Sequence, residues 1–299
     1  MKILITGANG YIGSALMRSF KEKHEVTGLV RHSPDTDHSY LLINDICAVT
    51  AADVSGFECV IHAAGMAEVT AESSELHRVN VEGAQAIARA CREAGVERLI
   101  NLSSVKAAGE GSVGSRVLDQ PTSAYGQSKL QAETAINALL EGSKTRAVHF
   151  RFPLVYGPGV QNNFKKLIGL SGSKLPLPLA NLTAKRSYCF VGNLIRLIER
   201  QLASPTSESV VYVADSRALT LPELLAGLAK IQGFKLRLMW FPEVLLQLVV
   251  RLVKPSYANQ LFGDAVVELS ATQKAFPEWR PNSTVDALEF LEIGRDGRI

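Results

Sequence analysis

The chain has 299 residues, 46% apolar and 20% charged, the balance of a folded globular protein and not of a disordered one. Its 32 Lys and Arg against 29 Asp and Glu leave a net charge of +3, too small and too scattered for a nucleic-acid binder. Four cysteines without CxxC spacing, six histidines apart from them, and no signal-peptide run point to a reduced cytoplasmic protein without a metal.

Lys2–Thr6 reads as a buried strand. Tyr11–Lys23 has helical periodicity through Ile12, Ala15, Leu16 and Phe20. Glu25–Val30 and Glu58–Ala63 follow as strands, then a long helix over Ser73–Ala94 closed by Gly95. Glu97–Ser103 is a strand, Ser123–Leu140 a helix ended by Gly142, and Thr145–Phe152 a strand. Apolar strands alternating with helices predict a doubly wound, parallel α/β sheet of the Rossmann type.

Beyond Arg151 the pattern loosens into a smaller, mostly helical lobe, with helices over Val191–Leu202, Leu221–Gln232, Pro242–Val253 and Thr284–Leu291. The expected division is a dinucleotide-binding domain over 1–155, with a returning segment near 186–215, and a substrate lobe over 156–299. The apolar stretch at Pro242–Val253 is too short to span a bilayer and reads as a core helix. Its amphipathic character also admits a peripheral membrane contact.

Gly7, Gly10 and Gly13 sit between the first strand and the first helix in TGANGYIG. A phosphate-binding turn needs one glycine to bend, one to let the pyrophosphate approach and one where helix packs on strand. The helix N-terminus then offers its N–H groups to the anion. Asn9, Tyr11 and Ile12 complete the turn. In NAD-binding proteins an acid about 20 residues on holds the ribose 2′-hydroxyl. Here the second strand runs into Arg31 and His32. A guanidinium there favours a 2′-phosphate, so NADP is the expected cofactor, with NAD as the alternative. Arg31 as a merely solvated strand end is the competing reading.

Tyr125 and Lys129 stand four residues apart near a helix start and share one face. Taken with the glycine turn, this pair resembles the extended short-chain dehydrogenase/reductases, in their sugar-nucleotide epimerase, dehydratase and reductase branch. Asn44-Asp45-Ile46 is similar to the adenine-contacting segment, His62-Ala63-Ala64-Gly65 to the ribose-lining segment, and Arg78–Gly83 to the central helix. Arg151–Gly159 and Arg186–Val191 match later family segments.

The resemblance implies cofactor contacts from Asp45, Ile46, Ala63, Ala64, Gly65, Asn80, Tyr125, Lys129, Pro153 and Val155. It implies Tyr125 as acid and base, Lys129 as the cation beside it, and Ser104 as the group that orients the substrate hydroxyl. Ser104 is preferred over Ser103 because the family serine stands five residues before a glycine, here Gly109. Ser103, Lys106, Asn163 and Arg186 are the implied substrate contacts; Lys106 as a solvated loop charge stays open. A free phenol titrates near about 10, so work near neutral pH needs positive charge close by.

Leu154 stands where many relatives carry Asn, and the loop after Ser104 shows Val105-Lys106 instead of the acidic pair of a dehydratase. Within the branch, SSVKAAGEG, LPLPL and RSYCFVGNL are similar to 4-ketoreductases that form UDP-N-acetylquinovosamine, often labelled UDP-glucose 4-epimerases. The implied activity is therefore reduction at C4 of a UDP-4-keto-6-deoxy-N-acetylhexosamine. Two other readings are kept, a UDP-hexose 4-epimerase and a non-enzymatic dinucleotide sensor. Relatives pair through the two long helices, so a homodimer is expected.

Overall fold

The computed structural model describes residues 1–34, 36–66, 72–114, 119–160, 162–173, 175–253 and 261–291, with the backbone alone at 162, 163 and 253. The chain divides into two compact units. One comprises Met1–Gly109, Val117–Arg151 and Ser204–Tyr212; the other comprises Glu110–Arg116, Phe152–Ala203 and Val213–Ile299.

The first unit is built on strands β1 (Lys2–Thr6), β2 (Glu25–Val30), β3 (Ser39–Leu42), β4 (Cys59–His62), β5 (Arg98–Leu102) and β6 (Arg146–Arg151). A closing strand, Val210–Tyr212, completes a sheet of seven, in the order closing strand, β6, β5, β4, β1, β2, β3. Every pairing is parallel. Helices α1 (Tyr11–Phe20), α2 (Ala51–Val54), α3 (Ser73–His77), α4 (Gly83–Ala94) and α5 (Ala124–Leu140) accompany it. Ile3, Leu4 and Ile5 of β1, and all of β4, are buried, because strands covered on both faces need continuous apolar runs. Leu4, Val60 and Leu99 pack with Ile87 and Cys91 of α4 and Ile136 of α5 in one core cluster.

Several elements differ from the sequence expectation; α2 and the closing strand are two that it did not include. β3 lacks a sequence signal because it is an edge strand with Leu42 66% exposed. Its Tyr40 ring fits over Gly28, where a Cβ would lie 2.7 Å from the ring. The expected helix over Ser73–Ala94 is interrupted by a π-helical turn, Arg78–Glu82, between α3 and α4. And α1 stops at Phe20, short of Lys23. Gly95 takes the left-handed conformation (φ 71°) that closes α4.

β1 pairs with β2 on one side and with β4 on the other. Strand order therefore reverses between β1 and β4, and the crevice at their C-terminal ends is where open α/β sheets take ligands.

In the second unit Val155–Tyr156 pairs in parallel with Cys189–Phe190, and Lys185–Arg186 antiparallel with Leu219–Thr220. The buried Asp215 carboxylate organises this unit. It accepts bonds from Tyr156 Oη at 2.8 Å, Phe190 N–H at 2.7 Å, Asn193 Nδ2 at 2.7 Å and Thr284 Oγ1 at 2.9 Å. Such satisfaction is what lets a carboxylate be buried. The helix Glu243–Val253 corrects an expectation: among its described side chains only Leu246 is buried, while Val244, Leu245, Leu248, Val249 and Leu252 are exposed. The polar Glu243 and Gln247 lie on its half-buried side, so its apolar face is not in the core.

Candidate active site

The crevice begins at the glycine turn. Gly7 adopts φ 64°, and a Cβ there would stand 2.8 Å from the backbone N and Cα of Ala64. The turn after β1 thus lies directly against Ala63 and Ala64, the residues that leave β4. A Cβ on Gly13 would stand 2.2 Å from the Gly7 carbonyl, so the first turn of α1 can fold back on the loop only without a side chain. Gly10 caps α1, no side chain caps it, and its first turn, with Tyr11, Ile12 and Gly13, holds no acid. This is a helix N-terminus suited to an anion, and the turn fits a dinucleotide pyrophosphate.

Thr6 braces this junction. Its Oγ1 accepts the Ala64 N–H at 3.1 Å and lies 2.9 Å from His62 Nδ1. Burial, and then the Lys129 charge, lower the His62 pKa to about 3. The imidazole is therefore neutral, and its Nδ1 shares one hydrogen with the Thr6 hydroxyl. A small cleft beside the turn is lined by Asn9, Ser14, Arg18, Thr36, His38 and Tyr40. Sequence reading overlooked Arg18, which stands close to the turn only because α1 brings it there. Arg31 follows β2 and is exposed.

Asp45 and Ile46 leave the sheet after β3. The Asp45 side chain accepts the Cys47 N–H at 3.1 Å and pairs with Arg78, while Ile46 packs on Gly83. The π turn places Asn80. Its Oδ1 accepts the Met66 N–H at 2.8 Å, and its Nδ2 donates to Met66 O at 3.1 Å and to Ser128 Oγ at 3.0 Å. A π turn commonly re-aims a side chain at a functional site. A Cβ on Gly65 would lie 3.3 Å from Asn80 Oδ1 and 3.9 Å from Lys129 Nζ, so the bare glycine leaves room in front of that ammonium.

α5 starts at Ser123, which accepts the Gly126 N–H at 3.1 Å. A Cβ on Gly126 would stand 2.4 Å from the Lys106 carbonyl, so this glycine lets the short turn Val105–Ala107 rest on the first turn of α5. Tyr125 is half-buried there, with Lys106 Nζ 6.0 Å from its ring centre. One turn on, Lys129 is buried and donates to Leu102 O at 2.7 Å, at the end of β5. Burial lowers its pKa to about 8, against the Glu133 charge, which raises it.

The two serines differ in partner. Ser103 donates to the buried carboxylate of Glu133, so its hydroxyl hydrogen is committed inside the protein. Ser104 Oγ accepts the Lys106 N–H at 3.2 Å and keeps its own hydrogen.

Glu133 was not foreseen as part of this site. Arg151 pairs with it at 2.5 Å and with Asp119 at 2.7 Å, and donates to Tyr212 Oη at 3.0 Å. Burial opposes the guanidinium charge, but bonds from Asp119 and Glu133 outweigh that and hold Arg151 firmly protonated. Next to it, His149 bonds Asn101 and Asn137, and burial lowers its pKa to about 4.

Pro153, Val155 and Arg186 belong to the second unit. Val155 lies in a two-residue strand, and Arg186 Nη1 donates to Gly263 O at 3.2 Å. The Asn163 side chain lies outside the described residues.

A profile of the NAD dependent epimerase/dehydratase family matches residues 3–214. The chain is 32% identical over 301 residues to a UDP-glucose 4-epimerase of Vibrio cholerae, covering 95% of this chain and 92% of that one. Its fold is similar to a UDP-N-acetylglucosamine 4-epimerase from Bacillus cereus (TM-score 0.80, 20% identity, 97% of each chain). A UDP-glucuronic acid 4-epimerase from the same organism, in complex with NAD, is similar at TM-score 0.77, with 20% identity and 97% of each chain covered.

Two outcomes follow from this geometry. Glu133→Gln leaves Arg151 under-neutralised in the interior and should cost about 3–5 kcal/mol in urea unfolding; Glu133→Leu with Arg151→Met should restore much of it. A loss below about 1 kcal/mol would contradict the network. His62 and His149 have folded pKa values of about 3 and about 4 against an ordinary 6.5. Below about pH 6.5 the unfolded chain takes up protons that the folded chain refuses. Each histidine should therefore weaken folding about tenfold per pH unit down to its folded pKa. Unfolding midpoints measured from pH 7.5 to pH 5 should flatten in His62→Gln/His149→Gln, and an unchanged slope would refute the assignment.

Proposed function

The chain belongs to the NAD dependent epimerase/dehydratase family, and from that premise we propose that it is an NAD(P)-dependent oxidoreductase working at C4 of a UDP-linked sugar. One observation carries the reading: the Val105–Ala107 turn ties Ser104, at the end of β5, to the Tyr125–Lys129 start of α5. Beside it the glycine turn fits a dinucleotide pyrophosphate.

A nicotinamide bound there supplies the carrier that gives or takes hydride. The residues of the chain manage the proton. Tyr125 exchanges one with the oxygen on C4 of the sugar. Lys129, held cationic at neutral pH in a buried setting, favours the phenolate form that this exchange requires. Ser104 donates to the same oxygen and shares the charge that develops on it. Asn80 positions α5 through Ser128, whose Oγ donates to the Tyr125 carbonyl at 2.8 Å. Arg186, and Asn163 with it, we assign to the substrate diphosphate.

Within this reading we favour reduction of a UDP-4-keto-6-deoxy-N-acetylhexosamine by NADPH. Its support is the end of β2, where the exposed Arg31 stands and no acid is present to hold a ribose 2′-hydroxyl. The name carried by the Vibrio cholerae relative supports a second reading, a UDP-hexose 4-epimerase that oxidises and re-reduces C4 on a retained cofactor.

Mixing the protein with NADPH and UDP-4-keto-6-deoxy-N-acetylglucosamine should consume reduced nicotinamide in step with product, and Tyr125→Phe should abolish turnover while still binding cofactor. A flat absorbance trace with interconversion of UDP-hexose epimers would establish the epimerase instead. In titrations NADPH should bind more tightly than NADH. Arg31→Ala should cut NADPH affinity by about tenfold or more and leave NADH unchanged; equal affinities in the unaltered protein would refute the 2′-phosphate role.

A further inference from the structure

Eight large apolar side chains are exposed between Phe234 and Leu252: Phe234, Met239, Trp240, Val244, Leu245, Leu248, Val249 and Leu252. On the helix Glu243–Val253 five of them form one continuous face. Spacing of 100° per residue puts Leu248, Leu252 and Leu245 along its centre, with Val244 and Val249 at its edges. The opposite side is where the polar pair falls: Gln247 donates to Glu243 Oε1 at 3.0 Å, and both are half-buried. The helix is thus turned inside out relative to one that packs in a core. Trp240, 68% exposed, stands just before it.

The charges of this segment are mostly basic. Lys235, Arg237 and Arg251 are exposed, and Glu243 is the one acid between residues 234 and 252. A helix of 11 residues spans about 16 Å, half the hydrocarbon thickness of a bilayer, so it cannot cross one. Lying in the interface it can bury its aliphatic side chains among acyl chains. Trp240 then sits at headgroup depth, and the arginines reach out to lipid phosphates.

A second copy of the chain suits the face less well. Two copies related by a two-fold axis would set one basic face against another, with Glu243 the one acid of the segment to offset Lys235, Arg237 and Arg251. We propose that this face docks the protein on a membrane surface containing anionic phospholipid. The proposal does not depend on the reaction assigned to the first unit.

The test is cosedimentation of the full chain with vesicles of phosphatidylcholine alone, or of equal parts phosphatidylcholine and phosphatidylglycerol. The protein should pellet with the anionic vesicles, and salt at about 1 M should release much of it. Leu248→Glu/Leu252→Glu should weaken binding about tenfold or more, while circular dichroism and NADPH binding stay unchanged. Trp240 should move to shorter emission wavelengths on binding; Trp279, 2% exposed, reports a constant background. Absence from both pellets, or equal pelleting of the double variant, overturns the proposal. So does a wild type that ignores vesicles but is dimeric where the double variant is monomeric, which would give the face to a second copy.

Discussion

A buried carboxylate sets the geometry of the first unit. Glu133 lies at the middle of α5, and it engages the end of β5 through Ser103 and the end of β6 through Arg151. Arg151 in turn reaches Asp119 and Tyr212. One charge thereby fixes a helix, two strand ends and the closing strand. Because a buried polar group that loses its partner is costly, these groups have few alternative arrangements. Lys129, one turn earlier on the same helix, inherits that fixed position. Its ammonium is held against Leu102 O while the nearby carboxylate offsets part of the cost of burial.

Glycines do the complementary work at the crevice. At Gly7, Gly13 and Gly126 the missing Cβ is what allows one stretch of backbone to approach another. Carboxylate and glycine act on opposite problems: the first ties elements together, and the second brings them near enough to be tied.

The parts legible in the sequence were those whose signal is local. A glycine turn between a buried strand and an amphipathic helix declares itself within about a dozen residues. Tyr125 and Lys129 share a helix face by spacing alone. The Glu133–Arg151 pair has no such local signature, since its meaning comes from two elements meeting in space. β3 escaped because an edge strand needs no apolar alternation. For Glu243–Val253 the periodicity correctly marked an apolar stripe, but periodicity carries no sign: it cannot say whether the stripe faces inward. The serines show the same limit, for Ser103 and Ser104 are adjacent and chemically alike, and only the tertiary partner of each tells them apart.

The π turn at Arg78–Glu82 has a consequence for chain length. Such a turn is an α-helix carrying one residue too many, and each residue advances a helix by about 100°. Removing one residue there would heal the helix into a regular one, yet it would swing α3 by that angle about the axis of α4. Asn80 could then no longer meet both Met66 and Ser128. The helical run from Ser73 to Ala94 is therefore counted to the residue: a single deletion in it is a change of phase.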